Sequence, residues 1–163
     1  MENFINDIIT GLEAVNDGIL IGNKKWTIAI KKAIIDVAEK HKLKVNCNLN
    51  GEDYKKNENK EWLYDIIVYS YNKNIFDEVY LVGESEWNYD LAEIEYDFLK
   101  LIFTRSKIRL LVYQVSEENY NDYYNRLIEI VEKSKSCIKG DVYLFGVFNI
   151  STDEFKVEKY IKQ

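Results

Sequence analysis

Trp62-Leu63-Tyr64-Asp65-Ile66-Ile67-Val68-Tyr69-Ser70-Tyr71 and Glu78-Val79-Tyr80-Leu81-Val82-Gly83-Glu84-Ser85-Glu86-Trp87 are the two stretches that decide the fold. Both are rich in aromatic and β-branched residues, which suit a pleated, half-buried surface, so both are expected to be strands. Asn72-Lys73-Asn74 between them reads as a turn. Side chains alternate along a strand, so Glu78, Tyr80, Val82, Glu84 and Glu86 share one face, and Val79, Leu81, Gly83, Ser85 and Trp87 the other. Acids at the end of an otherwise apolar strand are unusual, because a buried carboxylate is costly unless it meets a cation or hydrogen-bond donors. Asp65, inside the first stretch, is the same anomaly.

Upstream, residues 3–16 place Phe4, Ile5, Ile8, Ile9, Leu12 and Val15 at helical spacing, and Asn16-Asp17-Gly18 breaks the pattern. A second helix is expected over 25–41, with Trp26, Ala29, Ile30, Ala33, Ile34, Val37 and Ala38 on its buried stripe. A strand over 44–49 alternates Val45, Cys47 and Leu49 against polar residues, followed by a turn at 50–53 and a polar loop at 54–60. Downstream, residues 90–103 return to helical spacing, with Asp90 and Glu93 resembling a capping box. Residues 108–115 form a continuous apolar run, the pattern of a strand buried on both faces. A helix over 118–135 carries Tyr120, Tyr123, Tyr124, Leu127, Ile128 and Val131 inward, and strands follow at 141–149 and 155–160. The order ααβββαβαββ implies an α/β fold, an α/β/α sandwich with a central mixed sheet. The expected organisation is one domain over 1–163: an N-terminal helix (1–22), a core (23–115), then a helix and edge strands (116–163).

Composition sets the limits. The chain has 163 residues, 47% hydrophobic and 31% charged, with no proline. Thirteen tyrosines, seven phenylalanines and three tryptophans exclude a disordered chain, and the length is typical of one domain. No apolar run approaches the roughly 18 residues of a membrane span. The start, Met1-Glu2-Asn3-Phe4, lacks the basic region of a secretory signal. Two cysteines build neither a disulfide framework nor a zinc site, so a reducing, cytoplasmic compartment and no membrane association are expected. The net charge of −6 is unevenly spread: seven lysines lie between Asn23 and Lys44, eight acids and no base between Phe76 and Phe98, then Lys100, Arg105, Lys107 and Arg109. Such blocks read either as solvated helix faces or as an anionic metal pocket flanked by surfaces that meet phosphate.

The chemistry available is that of carboxylates. No glycine-rich phosphate loop exists, and the single histidine, His41, ends a lysine-rich helix, where it suits the helix dipole better than catalysis. If the two central strands pair as a hairpin, Asp65, Glu84 and Glu86 can converge, and hard oxygen donors in one place suit Mg²⁺ or Mn²⁺. The competing arrangement leaves these acids at sheet ends, exposed or paired with Lys or Arg. Spacing alone does not decide, since Glu93-Ile94-Glu95 repeats it on a helix, where residues two apart diverge.

Glu61-Trp62-Leu63-Tyr64-Asp65-Ile66-Ile67, Val82-Gly83-Glu84-Ser85-Glu86-Trp87, Asp97-Phe98-Leu99-Lys100-Leu101 and Arg109-Leu110-Leu111-Val112-Tyr113 together resemble the PD-(D/E)XK nuclease superfamily, which has the restriction-endonuclease-like fold. The resemblance covers residues 25–115 and is sharpest over 61–113. It implies a core of helix, three antiparallel strands, helix and strand. It also implies that Asp65 and Glu84 hold Mg²⁺ or Mn²⁺, assisted by an acid on the preceding helix, for which Glu39 is the nearest match and Glu61 a rival. Tyr64 stands where the family often has proline, and Glu86 where it usually has lysine. Either Glu86 helps to activate water, or the lysine has moved to the next helix, where Glu93, Asp97, Lys100 and Thr104 form a polar stripe and Lys100 is the candidate. The implied activity is metal-dependent hydrolysis of DNA phosphodiester bonds, with the basic residues of 24–44 and Arg105, Lys107 and Arg109 on the backbone phosphates. The alternative is a catalytically inactive module of the same fold that binds nucleic acid, a protein partner or a second copy of itself.

Overall fold

A computed structural model describes residues 1–17, 22–49 and 62–163. The chain is α/β, with elements in the order read from the sequence: α1 (Glu2–Glu13), α2 (Asn23–Lys40), β1 (Lys44–Cys47), β2 (Ile66–Asn72), β3 (Ile75–Glu86), α3 (Leu91–Ile102), β4 (Ile108–Val115), α4 (Tyr120–Lys133), β5 (Val142–Asn149) and β6 (Glu154–Ile161). Hydrogen bonding orders the strands β1-β2-β3-β4-β5-β6 in a mixed sheet. Contacts cluster into two compact units, Met1–Val82 and Gly83–Gln163, with β3 contributing to both. The turn expected at 50–53, the loop at 54–60, Glu61 and the Gly18 break lie outside the described residues. Among the described residues no helix is long and apolar enough to cross a membrane.

In the first unit α1 buries Phe4, Ile5, Ile8 and Leu12 and packs on α2. The close approach runs through Gly11, where an added Cβ would sit 3.2 Å from Val37 Cγ2. α2 is buried on more of its circumference than a single stripe, with Ile28, Lys31 and Ile35 joining Trp26, Ile30, Ile34, Val37 and Ala38. It ends in a Schellman turn: Lys42 takes φ 59°, and the amides of Lys42 and Leu43 donate to the carbonyls of Glu39 and Ala38 at 2.9 and 2.8 Å. At its end His41 Nε2 lies 2.6 Å from Asp7 Oδ2, and Lys40 Nζ 2.8 Å from Asp7 Oδ1, which ties α1 to α2. The bonds to Lys40 and then His41 hold the Asp7 carboxyl below its ordinary value.

β1 pairs antiparallel with β2 from Lys44↔Tyr69 to Cys47↔Ile66. The hairpin β2–β3 turns on Lys73 and Asn74, both at positive φ (50° and 66°), the geometry of a two-residue type I′ loop. Ser70 Oγ donates to Asp77 Oδ2 across it at 3.2 Å. The expectation that the strand begins at Trp62 and contains Asp65 is corrected: residues 62–65 are bends and β2 begins at Ile66. β1 stops at Cys47, the partner of Ile66, so the chain before Ile66 has no β1 residue to pair with.

In the second unit every residue of β4 is buried, as its unbroken apolar run requires. β4 runs parallel to β5 from Ile108↔Val142 to Val115↔Asn149, and β5 antiparallel to β6 from Val142↔Ile161 to Asn149↔Glu154. α3 packs against β4 and α4. Phe98 of α3 meets Tyr143 and Phe145 at ring separations of 5.9 and 5.6 Å, and Tyr124 of α4 meets Phe145 at 5.5 Å. Tyr120, Tyr123 and Tyr124 are less deeply placed than their expected inward position, although Tyr124 does reach the buried Phe145. They are half-buried, and only Leu127 and Val131 of α4 are fully buried. Tyr123 keeps its hydroxyl at a polar partner, as amphipathic rings do, donating to the Tyr89 carbonyl at 3.0 Å.

Candidate functional site

The end of β3 and the start of α3 are locked together by side chain to backbone bonds. Asn88 N donates to Glu86 Oε1 at 2.6 Å, Asp90 N to Asn88 Oδ1 at 3.2 Å, and Gln114 Nε2 to the Trp87 carbonyl. Asp90 Oδ1 then accepts from Ala92 N at 2.9 Å, the N-cap that its sequence position indicated. With the start of α3 set, helical spacing brings Asp97 and Lys100 to one side of it, three residues apart.

Lys100 Nζ lies 2.9 Å from Asp97 Oδ1 and 2.9 Å from Glu84 Oε1. Glu84 is buried at 6% exposure, whereas the Lys100 side chain is 38% exposed, so the pair joins an interior carboxylate to solvent. Burial pulls the Lys100 ammonium toward deprotonation, but the bonds to Asp97 and Glu84 outweigh it and raise its pKa above the ordinary lysine value. The ammonium also lies 5.9 Å from the centre of the Tyr96 ring. Lys100 is thus the residue of α3 that meets Glu84. Glu86 instead accepts a hydrogen bond from the backbone of its own turn.

In the first unit, Asp65 Oδ1 lies 3.6 Å from Lys31 Nζ, which also donates to the Asn48 carbonyl at 3.2 Å. Lys31 is buried, so it is withdrawn from the basic surface that the sequence suggested for phosphate. Glu39 lies on the exposed side of the last turn of α2, and Glu61 is outside the described residues. Arg109 is corrected likewise. It is buried, with Nη1 3.3 Å from Asp141 Oδ1, Nη2 donating to the Thr104 carbonyl at 3.0 Å, and its guanidinium 5.3 Å from the Tyr143 ring centre. Lys24, Lys25, Lys42, Lys44, Arg105 and Lys107 are exposed.

Lys31 escaped the sequence reading because its stripe was drawn through Trp26 and Ile30. Ile28 and Ile35, three before and four after it, are the signal that a second face of α2 is buried. Gln114, inside the apolar run of β4, is the residue whose polarity should have pointed to a backbone partner. Among the described residues, no group of three or more His, Cys, Asp or Glu side chains is placed to hold a metal ion. Comparison of the chain with protein-family models, with curated proteins and with solved structures returned no match.

Proposed function

We propose that the chain is a divalent-metal-dependent nuclease of the restriction-endonuclease-like class, hydrolysing DNA phosphodiester bonds, with Lys100 in the role usually held by the motif lysine. The observation that carries this reading is the 2.9 Å contact between Lys100 Nζ and Glu84 Oε1. It compensates for Glu86 at the motif lysine's own position by bringing a lysine to the motif acid.

The donor set fits Mg²⁺ or Mn²⁺ in kind, since carboxylate oxygens are hard donors and Mg²⁺ commonly takes only one or two carboxylates with water. Three converging carboxylates are therefore not needed. Glu84 is the ligand this reading assigns from the second unit, and the resemblance gives Asp65 the same role. The bound ion supplies Lewis-acid stabilisation of the phosphate and a lower pKa for water. Lys100, kept protonated by Asp97 and Glu84, presents a fixed positive charge to a phosphate oxygen and orients water, but does not act as a base. Glu86 holds the turn that positions α3. Lys24, Lys25, Lys42, Lys44, Arg105 and Lys107 supply the exposed positive charge for backbone phosphates, so binding weakens steeply with salt.

A second reading is favoured by one observation: the buried Lys31 already neutralises Asp65. It makes the chain a catalytically inactive module of the same fold that binds nucleic acid, a protein partner or a second copy of itself. One set of assays separates the two. Purified wild type, Glu84→Ala, Asp65→Ala and Lys100→Ala are incubated with single- and double-stranded DNA and RNA in Mg²⁺ or Mn²⁺, and Mn²⁺ binding is followed by calorimetry. The nuclease reading expects metal-dependent cleavage of DNA that both carboxylate variants abolish and Lys100→Ala lowers at least ~100-fold. Equal cleavage by wild type and Glu84→Ala marks a contaminant and ends the enzyme reading. Absence of both cleavage and Mn²⁺ binding leaves the binding module.

A further inference from the structure

β6 (Glu154–Ile161) ends the sheet: it pairs with β5 on one side, and among the described residues no strand pairs with its other side. It is eight residues long, whereas β1 at the opposite end has four. Natural sheets blunt such edges with short strands, bulges or proline, and this chain contains no proline. Lys162 N donates to the Asp141 carbonyl at 3.0 Å, one step beyond the register pair Val142↔Ile161. Hydrogen-bonded and non-hydrogen-bonded pairs alternate along an antiparallel ladder, so Tyr160, Glu158, Lys156 and Glu154 turn their backbone groups toward β5. Val157, midway along the strand, turns its N–H and C=O outward.

The side chains of Glu154, Lys156 and Glu158 share the α4 side of the sheet with Tyr160, whose hydroxyl donates to Glu132 Oε1 at 2.6 Å. Their charges alternate in sign. A lysine on an edge strand ordinarily repels a copy of itself. An antiparallel copy related by a two-fold axis through Val157, normal to the sheet, escapes that repulsion. It sets Lys156 opposite Glu158 of the second copy, and Glu158 opposite Lys156 of the second copy. Val157 meets its own counterpart in a hydrogen-bonded pair, so the two charged pairs fall at non-hydrogen-bonded positions, where side chains stand closest. Moving the axis by one residue opposes Lys156 to Lys156 or Glu158 to Glu158, and like charges directly opposite are destabilising. The contacts these side chains make within the chain are weak ones. Lys156 Nζ lies 3.1 Å from Glu154 Oε2 with the two side chains 63% and 54% exposed, and the Tyr120 hydroxyl lies 3.4 Å from Glu158 Oε1.

We propose that β6 joins a second copy of this chain about that axis, continuing the sheet from one copy into the other through an isologous contact. The occupant is a second copy because the charge pattern of β6 is complementary to itself in this one register. The contact is a single strand pair wide, so the dimer is weak, with a dissociation constant of about 10–100 µM.

Sedimentation equilibrium of the full chain from about 5 to 500 µM tests it, and the wild type is expected to pass from monomer to dimer over that range. Val157→Pro removes an outward N–H that the pairing with β5 does not use, and Lys156→Glu and Glu158→Lys each set like charges in opposition. Each single variant should weaken the dimer at least ~tenfold. The double variant Lys156→Glu/Glu158→Lys exchanges the signs and keeps the match, so it should dimerise like the wild type. Mixing the two single charge variants should give a heterodimer, since each carries the charge that the other lacks. A monomer at every concentration, a dimer that persists in all three single variants, or no association in both the double variant and the mixture overturns the proposal. The double variant and the mixture gain association, which misfolding does not produce in this pattern, so they are readable even where Val157→Pro fails to fold. The measured quantity is mass, so the result stands whether or not the chain cleaves DNA.

Discussion

Replacing Lys100 by methionine keeps most of the stem and removes the ammonium, so it isolates the charge that meets Glu84. Breaking a fully buried ion pair by removing one partner costs about 3–5 kcal/mol, whereas exposed pairs are worth about 0.2–1 kcal/mol. Here the carboxylate side chain is 5% exposed and the lysine 38%, so solvent screens one partner and not the other. The expected cost lies between the limits, about 2 kcal/mol. With a urea slope of about 2 kcal/mol per molar, the unfolding midpoint falls by about 1 M at pH 7. Glu84→Gln needs no cation, so the double variant should recover most of the loss, with a coupling energy of about 1.5 kcal/mol in the cycle. The sign of the pH dependence follows from the raised pKa of Lys100. Stability from a raised lysine is fully present below its unfolded value, near pH ~10.4, and is lost only as pH rises through the folded value. The difference between wild type and Lys100→Met should therefore be flat from pH 6 to 9 (roughly the range below that value) and shrink in strong alkali. A coupling energy under about 0.5 kcal/mol, or a difference that falls between pH 6 and 8, refutes a functional Glu84–Lys100 contact.

Three further outcomes follow from local geometry. Tyr113→Phe should leave the melting temperature unchanged or raise it, because its hydroxyl has no hydrogen-bond partner among the described residues; Tyr143→Phe should cost about 1 kcal/mol, because that hydroxyl donates to Cys137 Sγ at 3.0 Å. Equal losses in the two variants by thermal denaturation would contradict the pair. Asp7→Asn should lower the melting temperature at pH 7, and the difference from wild type should vanish well below pH ~4. A depressed carboxylate contributes stability above its unfolded pKa and loses it as pH falls through the folded one. A difference independent of pH would disconnect Asp7 from Lys40 and His41. Gly146→Ala should cost about 1–3 kcal/mol by urea unfolding, since the new Cβ would lie 2.8 Å from Phe155 Cζ and 3.2 Å from Val112 Cγ2; a neutral effect would mean that Phe155 moves aside without strain.

Much of the fold was legible because the signals for it are local. The eight-residue apolar run of β4, the helical spacing of Ile94, Phe98 and Leu101, and Asp90 ahead of α3 each specify an element through neighbours close in the chain. The ten-element order follows from such signals alone. What sequence could not decide was pairing. The start of β2 depends on where β1 stops, and that limit moved Asp65 out of the strand. Arg109 and Lys31 read as surface charge because nothing local announces Asp141, 32 residues on, or the Asn48 carbonyl, 17 residues on.

The candidate site divides in the same way. Sequence alone named Glu84, Glu86 and Lys100. Only the folded chain gives their contacts: the 87–90 connection engages Glu86 with the backbone of its own turn, and Lys100 of α3 reaches Glu84. Periodicity fixes which face a residue occupies, but the partner it meets there is set by how separate elements pack. Hydrophobic patterning constrains that packing in sum, without recording it at any one residue.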